Sequence, residues 1–159
     1  MSATSSDHVK IIFRLQRDEE GYPPVDEESL WAVPVGKRRF KIDNIPFFVV
    51  GISADDIVEA DKRDAGYYFQ RVVVPSGHST IRVLCMDASN VGDLRKKLEE
   101  LGCTSEGSHL PRLFAVDVPP EAPWSNVIAF LKETEESGLI EYEEGALRHV
   151  KKGEWWKLW

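Results

Sequence analysis

The chain has 159 residues, of which 42% are hydrophobic and 30% are charged, a balance typical of a soluble protein with one or two globular domains. Its 27 acidic residues outnumber its 20 basic residues, and the resulting net charge of −7 disfavours a general nucleic-acid binder. Residues 1–7 are polar and do not resemble a signal peptide, and no apolar run reaches the roughly 20 residues that cross a bilayer. We therefore expect a cytoplasmic protein with no membrane segment and, if it has a partner, a protein with a basic surface.

The first half of the chain reads as short strands separated by turns. A loop rich in proline and carboxylates follows the first strand, a single capped helical turn is predicted at residues 53–56, and a turn is predicted at residues 61–66. Short strands at this spacing predict a small β-barrel-like half over residues 8–76, after a disordered leader at residues 1–7. Alternating or apolar runs that predict these strands occupy residues 9–15, 29–35, 39–42, 57–60 and 67–75.

The second half alternates strands with helices. An apolar stripe at helical spacing ends before Gly102, and a second one, which begins with Trp124, ends before Gly138. The order strand, helix, strand, strand, helix, strand predicts a ferredoxin-like βαββαβ half over residues 77–146, so the expected fold class is α+β. Residues 147–159 form a tryptophan-rich tail. The predicted strands occupy residues 80–86, 103–108, 110–118 and 139–142.

The densest group of potentially reactive side chains lies where the two halves join. His78 as a base, Ser79 as a hydroxyl nucleophile and Asp43 as an orienting carboxylate are the catalytic candidates if the protein is an enzyme. The alternative is that residues 75–79 form a polar connection whose hydroxyls bond to their own backbone. The histidines are isolated, and neither a metal-binding spacing nor a glycine-rich phosphate motif occurs, so we expect no metal and no cofactor.

Other residues are candidates for binding a ligand or a partner. The acidic loop at residues 18–28, which contains Tyr22, is either a solvated loop or the edge with which an inhibitor contacts a basic cleft. The basic residues 37–39 predict an ordinary charged hairpin tip. Aromatic side chains of the tail either pack on the protein itself or anchor a partner. The full set of binding candidates is Tyr22, Asn44, Arg82, Trp155, Trp156 and Trp159.

Several short segments, taken as a set, carry a family resemblance. They read Gly-Tyr-Pro-Pro, Glu-Ser-Leu-Trp, Asp-Asn-Ile-Pro-Phe-Phe and Ser-Gly-His-Ser-Thr. With the opening strand, they resemble a bacterial family catalogued only as domain of unknown function 4265, over most of residues 9–145. The resemblance implies no catalytic residue.

These observations favour an uncharacterised, cytoplasmic and non-enzymatic protein-interaction module, such as an immunity or inhibitor protein. The alternative is a small-molecule sensor or a small enzyme with a pocket between the two halves near His78. A third hypothesis, RNA binding through aromatic side chains on the open sheet, requires a locally basic face. Nothing in the sequence predicts the oligomeric state.

Overall fold

The computed structural model describes residues 7–64 and 66–149. The chain divides between Ser76 and Gly77 into two compact units. The described residues contain nine strands and two α-helices in two sheets, which confirms the predicted mixture of α and β structure. None of the described helices has the length and apolar character needed to cross a bilayer. The predicted leader, apart from Asp7, and the tail from residue 150 onward lie outside the described residues, and so do Trp155, Trp156 and Trp159.

The N-terminal unit is built from a five-stranded sheet, which we call the N-terminal sheet. Each strand pairs in antiparallel orientation with the next, and β1 also pairs in parallel with β5, so the sheet closes on itself. The strands are β1 (Val9–Arg14), β2 (Glu27–Gly36), β3 (Arg39–Ile42), β4 (Ile57–Arg63) and β5 (Gly66–Val74).

The core of this unit follows from the two-residue period of its strands. On β1, Ile11 and Phe13 are buried, whereas Lys10 and Arg14, on either side of this pair, are exposed and Ile12 between them is half-buried. The irregular segment after β3 also enters the core, because Val49 and other apolar side chains there pack against the strands. The buried core residues of the unit are Ile11, Phe13, Leu30, Ala32, Phe40, Ile42, Val49, Ile52, Val58 and Ala60.

Two local predictions in this unit are wrong. Residues 53–56 form a non-helical turn in which Asp55 has a φ of 66°, and the fully buried carboxylate of Asp56 accepts the backbone N–H of Ser53 at 2.9 Å. The predicted turn at residues 61–66 begins too early, since β4 continues to Arg63. The charged composition suggested a turn, but the outward carboxylates of β4 are paired with arginines and are therefore compatible with a strand.

The C-terminal unit has a four-stranded sheet, the C-terminal sheet, in the order β7-β8-β6-β9. All of its neighbouring strands are antiparallel. A short 3-10 turn, Ala88–Asn90, precedes the first helix, and Asp87 accepts the N–H of Ser89 there. The elements are β6 (Ser79–Cys85), α1 (Val91–Glu100), β7 (Thr104–Gly107), β8 (Leu113–Val118), α2 (Trp124–Glu136) and β9 (Ile140–Ala146).

Both helices pack against one face of the C-terminal sheet. Ile81, Val83 and Cys85 of β6 point to this face, where they join Leu98 of α1 and Leu131 of α2 in one apolar core. The opposite face carries the alternate residues of the same strands, including several polar ones. A single sheet therefore separates an apolar core from a face that carries buried polar side chains. By strand alternation His78 lies at the end of that polar face, whereas Ser79 lies on the side of the helices.

Candidate functional site

His78 lies just before β6, and its imidazole pairs with a carboxylate that the sequence did not connect with it. Its Nδ1 is 2.7 Å from Oδ2 of Asp117 on β8. Strand pairing explains the contact, because Thr80 is opposite Asp117 and His78 lies two residues before Thr80. The two side chains are 16% and 6% exposed, respectively. A carboxylate at Nδ1 fixes the orientation of the ring and favours the proton on that nitrogen.

Ser79 belongs to a different hydrogen-bonded cluster. Its Oγ is 2.6 Å from Nδ1 of His149, and it accepts the backbone N–H of Arg148 at 2.8 Å. The Nε2 of His149 is 2.8 Å from the carbonyl oxygen of Pro119, so Nε2 is assigned as the donor there and Nδ1 as the acceptor of the serine proton. The imidazole also stacks on Trp124, with ring centroids 4.9 Å apart. The hydroxyl of Ser79 is fully buried and holds the segment after β9 in place.

The side chains of Asp43 and Asn44 both form hydrogen bonds within the N-terminal unit. Oδ2 of Asp43 is 2.6 Å from Nε2 of His8, and Oδ1 of Asn44 accepts the backbone N–H of Trp31 at 2.6 Å. The Asp43 N–H donates to the carbonyl of Trp31 at 2.8 Å. His78, Ser79 and Asp43 thus have three separate partners. The structure assigns Asp43 and Asn44 to the support of an exposed tryptophan.

Arg82 lies on the polar face of the C-terminal sheet, and its side chain is only 4% exposed. Its Nη1 is 3.6 Å from Oε1 of Glu143, which is its cross-strand neighbour on β9. Gly145 leaves room for the guanidinium, since a Cβ at that position would lie 2.8 Å from Nη1. Together with Thr80 and Asp117, Arg82 forms a buried polar strip along the face opposite the helices.

Three carboxylates of the predicted acidic loop, those of Asp18, Asp26 and Glu28, form hydrogen bonds or ion pairs within the N-terminal unit. Asp18 accepts two backbone N–H groups within the loop, at 2.9 and 3.0 Å, and Asp26 pairs with Arg17 at 3.0 Å. Glu28, at the start of β2, accepts the backbone N–H groups of residues 47–49 at 2.7, 3.0 and 2.9 Å. These contacts shape the loop and attach an irregular segment to the N-terminal sheet.

The basic hairpin tip is paired with carboxylates of β4. Arg38 forms an ion pair with Asp61, and Arg39 donates to Glu59 at 2.8 Å. The hydrogen bond from Arg39, with further attraction from Arg71, holds the pKa of the Glu59 carboxyl below its ordinary value. Two of the three basic residues of the tip, Arg38 and Arg39, are therefore ion-paired.

A dense group of exposed carboxylates lies at the end of α2 and along β9. Within the described residues, β9 pairs only with β6 and is an edge of the C-terminal sheet. Its carboxylates point to both faces, because neighbouring residues of a strand alternate in direction. The exposed carboxylates of this region, which we call the acidic edge, are Glu133, Glu135, Glu136, Glu141, Glu143 and Glu144.

An open groove of about 450 Å³ runs beside the acidic edge. Its lining combines the apolar Met86, Ile140 and Tyr142 with the carboxylates of Glu135 and Glu141. Glu135 also accepts the backbone N–H of Tyr142 at 3.2 Å. Burial, together with the nearby carboxylates, raises the pKa of Tyr142. The groove therefore suits a side chain with an apolar stem and a positive end.

A larger groove, of about 830 Å³, lies between α1 and β7. Its charges offset one another, because Arg95 and Lys96 face Glu99 and Glu100 in the same lining. Arg95 is also held by Ser105, to whose Oγ it donates at 2.8 Å. This groove has no single charge character with which to select a ligand.

Sequence reasoning missed Asp117, His149 and the acidic edge. A signal for Asp117 was present, because a carboxylate in the apolar run of β8 needs a partner when it is buried. His149 gave no such signal, since its partner Ser79 is 70 residues away. The charges of β9 were visible in the sequence, but only the strand order shows that they lie on an edge.

The fold and these contacts define a class: a two-unit α+β protein with a buried polar strip and an acidic sheet edge. In the part of the chain that the structure describes, no three His, Cys, Asp or Glu side chains are grouped to hold a metal ion. The family described as Domain of unknown function (DUF4265) matches residues 28–142, which is more than half of the chain. The protein belongs to that family, and the family prediction is confirmed.

A solved structure gives the same fold. It is described as a novel crystal structure of a hypothetical protein from Neisseria gonorrhoeae, with a TM-score of 0.74 and 24% sequence identity. The match covers 89% of this chain and 95% of that chain. No curated protein matches the sequence. The comparisons thus support a protein of uncharacterised function and specify no activity.

Proposed function

We propose that the protein is a non-enzymatic interaction module that binds a basic, extended segment of a partner protein along β9. The observation that carries the proposal is the acidic edge: a seven-residue edge strand, Ile140–Ala146, with exposed carboxylates beside it. An immunity or inhibitor protein would use such a surface to cover a basic site on its target.

Strand addition explains why the charge lies at an edge. An edge strand offers backbone N–H and C=O groups to an incoming strand, and its side chains then select the sequence of that strand. Glu141 and Glu144 point to opposite faces of β9, so the basic side chains of an added strand would meet a carboxylate on whichever face they occupy. The same charges repel a second copy of β9 and so disfavour pairing of this edge with itself.

The groove beside the edge supplies an apolar component. Met86 and Leu139 are 42% and 44% exposed, and the N–H of Met86 donates to the carbonyl of Leu139 at 2.9 Å, which places them side by side. An apolar centre with a charged rim is the usual anatomy of a protein interface. A lysine or arginine of the partner would lay its stem on this surface and direct its charge to the rim.

We also propose that the C-terminal unit is ferredoxin-like, that the N-terminal unit is a small β-barrel and that the protein is cytoplasmic. The order β7-β8-β6-β9, with antiparallel neighbours and two helices on one face, supports a ferredoxin-like C-terminal unit. The closed pairing of β1 with β5 supports a small β-barrel in the N-terminal unit. The free thiols of Cys85 and Cys103 are compatible with the reducing cytoplasm.

The test is the binding of a peptide of alternating lysine and valine, monitored through the backbone amide signals of the labelled protein. We expect changes concentrated at Ile140–Ala146 and at Met86, and binding that weakens as salt is added. The double substitution Glu141→Lys and Glu144→Lys should weaken binding by at least about tenfold, because it places like charges against the peptide.

Two controls separate strand addition from simple charge attraction. Glu99→Lys with Glu100→Lys changes two exposed carboxylates on α1 and gives the same net charge, and it should leave binding intact. A peptide methylated on every backbone nitrogen retains its charge but loses the donors of both edges, so it should not bind. Equal losses with both double variants, or equal binding of the methylated peptide, would reject strand addition.

A second candidate function rests on the pairing of His78 with Asp117. A carboxylate that orients an imidazole is a common arrangement in binding and catalytic sites. The test is a thermal-shift screen of small molecules on the wild type and on His78→Ala. A compound that stabilises the wild type and not the variant would support a small-molecule site. If no compound does so, the pair has a structural role.

A further inference from the structure

The outer face of the N-terminal sheet carries a strip in which aromatic rings alternate with cations. Lys10 of β1 is the cross-strand neighbour of Trp31, and its Nζ lies 4.9 Å from the centroid of the indole. Tyr68 of β5 is opposite Ile12, which lies two residues after Lys10 on β1. The members of this outer strip are Lys10, Ile12, Arg14, Trp31, Arg63 and Tyr68.

Two arginines flank Tyr68. The Cζ atoms of Arg14 and Arg63 are 5.2 and 5.4 Å from its ring centroid. Both arginines are exposed, and neither is ion-paired in the part of the chain that the structure describes. Lys10 is likewise exposed. Within the described residues, the cations of the strip are therefore not ion-paired, in contrast to the two arginines of the hairpin tip.

The tryptophan of the strip is 44% exposed and is fixed at its base. Asn44 holds its backbone N–H at 2.6 Å, and His8, itself 2.6 Å from Asp43, meets the indole edge-on with ring centroids 6.4 Å apart. An exposed ring held in one orientation loses little conformational freedom when another ring stacks on it. The Asp-Asn pair of the sequence thus positions a stacking surface.

We infer that the outer strip binds single-stranded nucleic acid. Aromatic platforms for bases, combined with cations for the phosphates, are the two components of single-strand recognition, and both occur here on neighbouring strands. Trp31 is level with Lys10 and Tyr68 with Ile12, but the two rings belong to strands on either side of β1, so their positions differ by roughly 7 Å along the sheet and about 10 Å across it. Bases about two nucleotides apart on one strand are therefore within reach of both rings. A base on Tyr68 replaces one guanidinium, which then contacts the adjacent phosphate.

The net charge of −7 argued against a nucleic-acid binder, but it averages over the whole chain. Many of the carboxylates belong to the acidic edge, which lies in the other unit. On the strip, one exposed carboxylate, Glu27, is in register with a cation, opposite Arg14. Asp61, opposite Tyr68, is already paired with Arg38. The inference concerns a surface separate from β9 and does not depend on the proposed function.

The test is fluorescence anisotropy of a labelled oligo(dT) and a labelled oligo(U) with the full chain at low salt. We expect both to bind, and a duplex of the same length to bind less well. Neutralising about three phosphates predicts a slope near −2 for log affinity against log salt, by the single-strand coefficient of roughly 0.7 per phosphate.

Substitutions in the strip separate stacking from charge. Tyr68→Ala and Trp31→Ala should each weaken binding by about tenfold, whereas Tyr68→Phe, which keeps the ring, should bind as the wild type does. Glu27→Gln removes the one opposing carboxylate in register and should strengthen binding. The double substitution Lys96→Ala and Lys97→Ala, which removes exposed cations from α1, is the matched control and should change little.

Several outcomes would overturn the inference. One is the absence of any anisotropy change at low salt. Another is equal binding by the wild type and the two alanine variants of the rings, which would reduce the strip to a general attraction for polyanions. Competition by polyglutamate as effective as competition by unlabelled oligo(dT) would have the same meaning. Equal losses in the α1 control and the strip variants would show that the nucleic acid does not bind at the strip.

Discussion

Glu28 provides a sharp test of how the N-terminal unit is held together. Its carboxylate accepts the backbone N–H groups of Phe47, Phe48 and Val49 at 2.7, 3.0 and 2.9 Å, and this irregular segment has no strand partner there. The substitution Glu28→Ala removes all three acceptors at once. A hydrogen bond to a charged group contributes about 1.5–3 kcal/mol, and water can replace part of it at a half-buried site, so we take about 1 kcal/mol for each bond. The expected loss of unfolding free energy is therefore about 3 kcal/mol.

Urea denaturation measures that loss, and hydrogen exchange locates it. Glu28→Ala should lower the midpoint and accelerate exchange at residues 47–49, while exchange in the C-terminal sheet stays unchanged. Glu28→Gln retains one acceptor oxygen and should lose about half as much free energy. The matched control is Glu27→Ala, an exposed neighbour on β2, which should change stability by less than about 0.5 kcal/mol. Equal midpoints for the two alanine variants, with unchanged exchange at residues 47–49, would refute the reasoning.

Three further predictions concern charge, thiols and packing. Because Arg39 and other arginines lower the pKa of Glu59 below its ordinary value of 4.5, Glu59 stabilises the fold at neutral pH, and this contribution is lost as pH falls through the lowered pKa. Glu59→Gln should therefore show a smaller fall in urea midpoint on acidification than the wild type. Burial, with a smaller effect of a nearby carboxylate, raises the pKa of Cys103 to about 11, so iodoacetamide should alkylate it at mildly alkaline pH only after unfolding, as mass spectrometry would show. Gly145→Ala places a Cβ 2.8 Å from Nη1 of the buried Arg82 and should cost about 1–2 kcal/mol in urea denaturation.

A specific result would contradict each of these three predictions. An unchanged acid profile in Glu59→Gln would show that its ion pairs do not contribute to stability. Rapid alkylation of the native protein would contradict the burial of Cys103. The control for the glycine substitution is Gly92→Ala on α1, where a Cβ would meet no atom within 4 Å. If both alanine variants had equal stability, the contact with Arg82 would not be restrictive.

Much of the secondary structure follows from local patterns. The alternation in β1 and the apolar stripes of both helices are visible in the sequence because burial of one face imposes a period. Gly102 ends α1 with a φ of 95°, as its position predicted, because a glycine adopts this conformation without a steric penalty. The conformation of the turn at residues 53–56 was harder to predict from the sequence, because short polar side chains favour helix caps and other turns equally.

The site itself was not accessible to local reasoning. His78 lies 39 residues from Asp117, and Glu28 lies 19 residues or more from the amides that it binds. Such partners are set by strand order and register, which a single sequence with ambiguous strand ends does not specify. The high density of carboxylates at residues 133–144 was visible in the sequence. Its interpretation as a candidate binding surface depends on the finding that β9 is an edge strand. The acidic loop has a similar composition, but three of its carboxylates, those of Asp18, Asp26 and Glu28, bind groups of the N-terminal unit.

The most direct test of the central claim is the backbone amide spectrum of the protein titrated with the alternating lysine–valine peptide. Strand addition at β9 predicts that the largest changes fall on Ile140–Ala146, that they are abolished by Glu141→Lys with Glu144→Lys, and that they persist in the α1 control. It would be contradicted by changes spread over both units, or by a response that is the same for the peptide and for its backbone-methylated form.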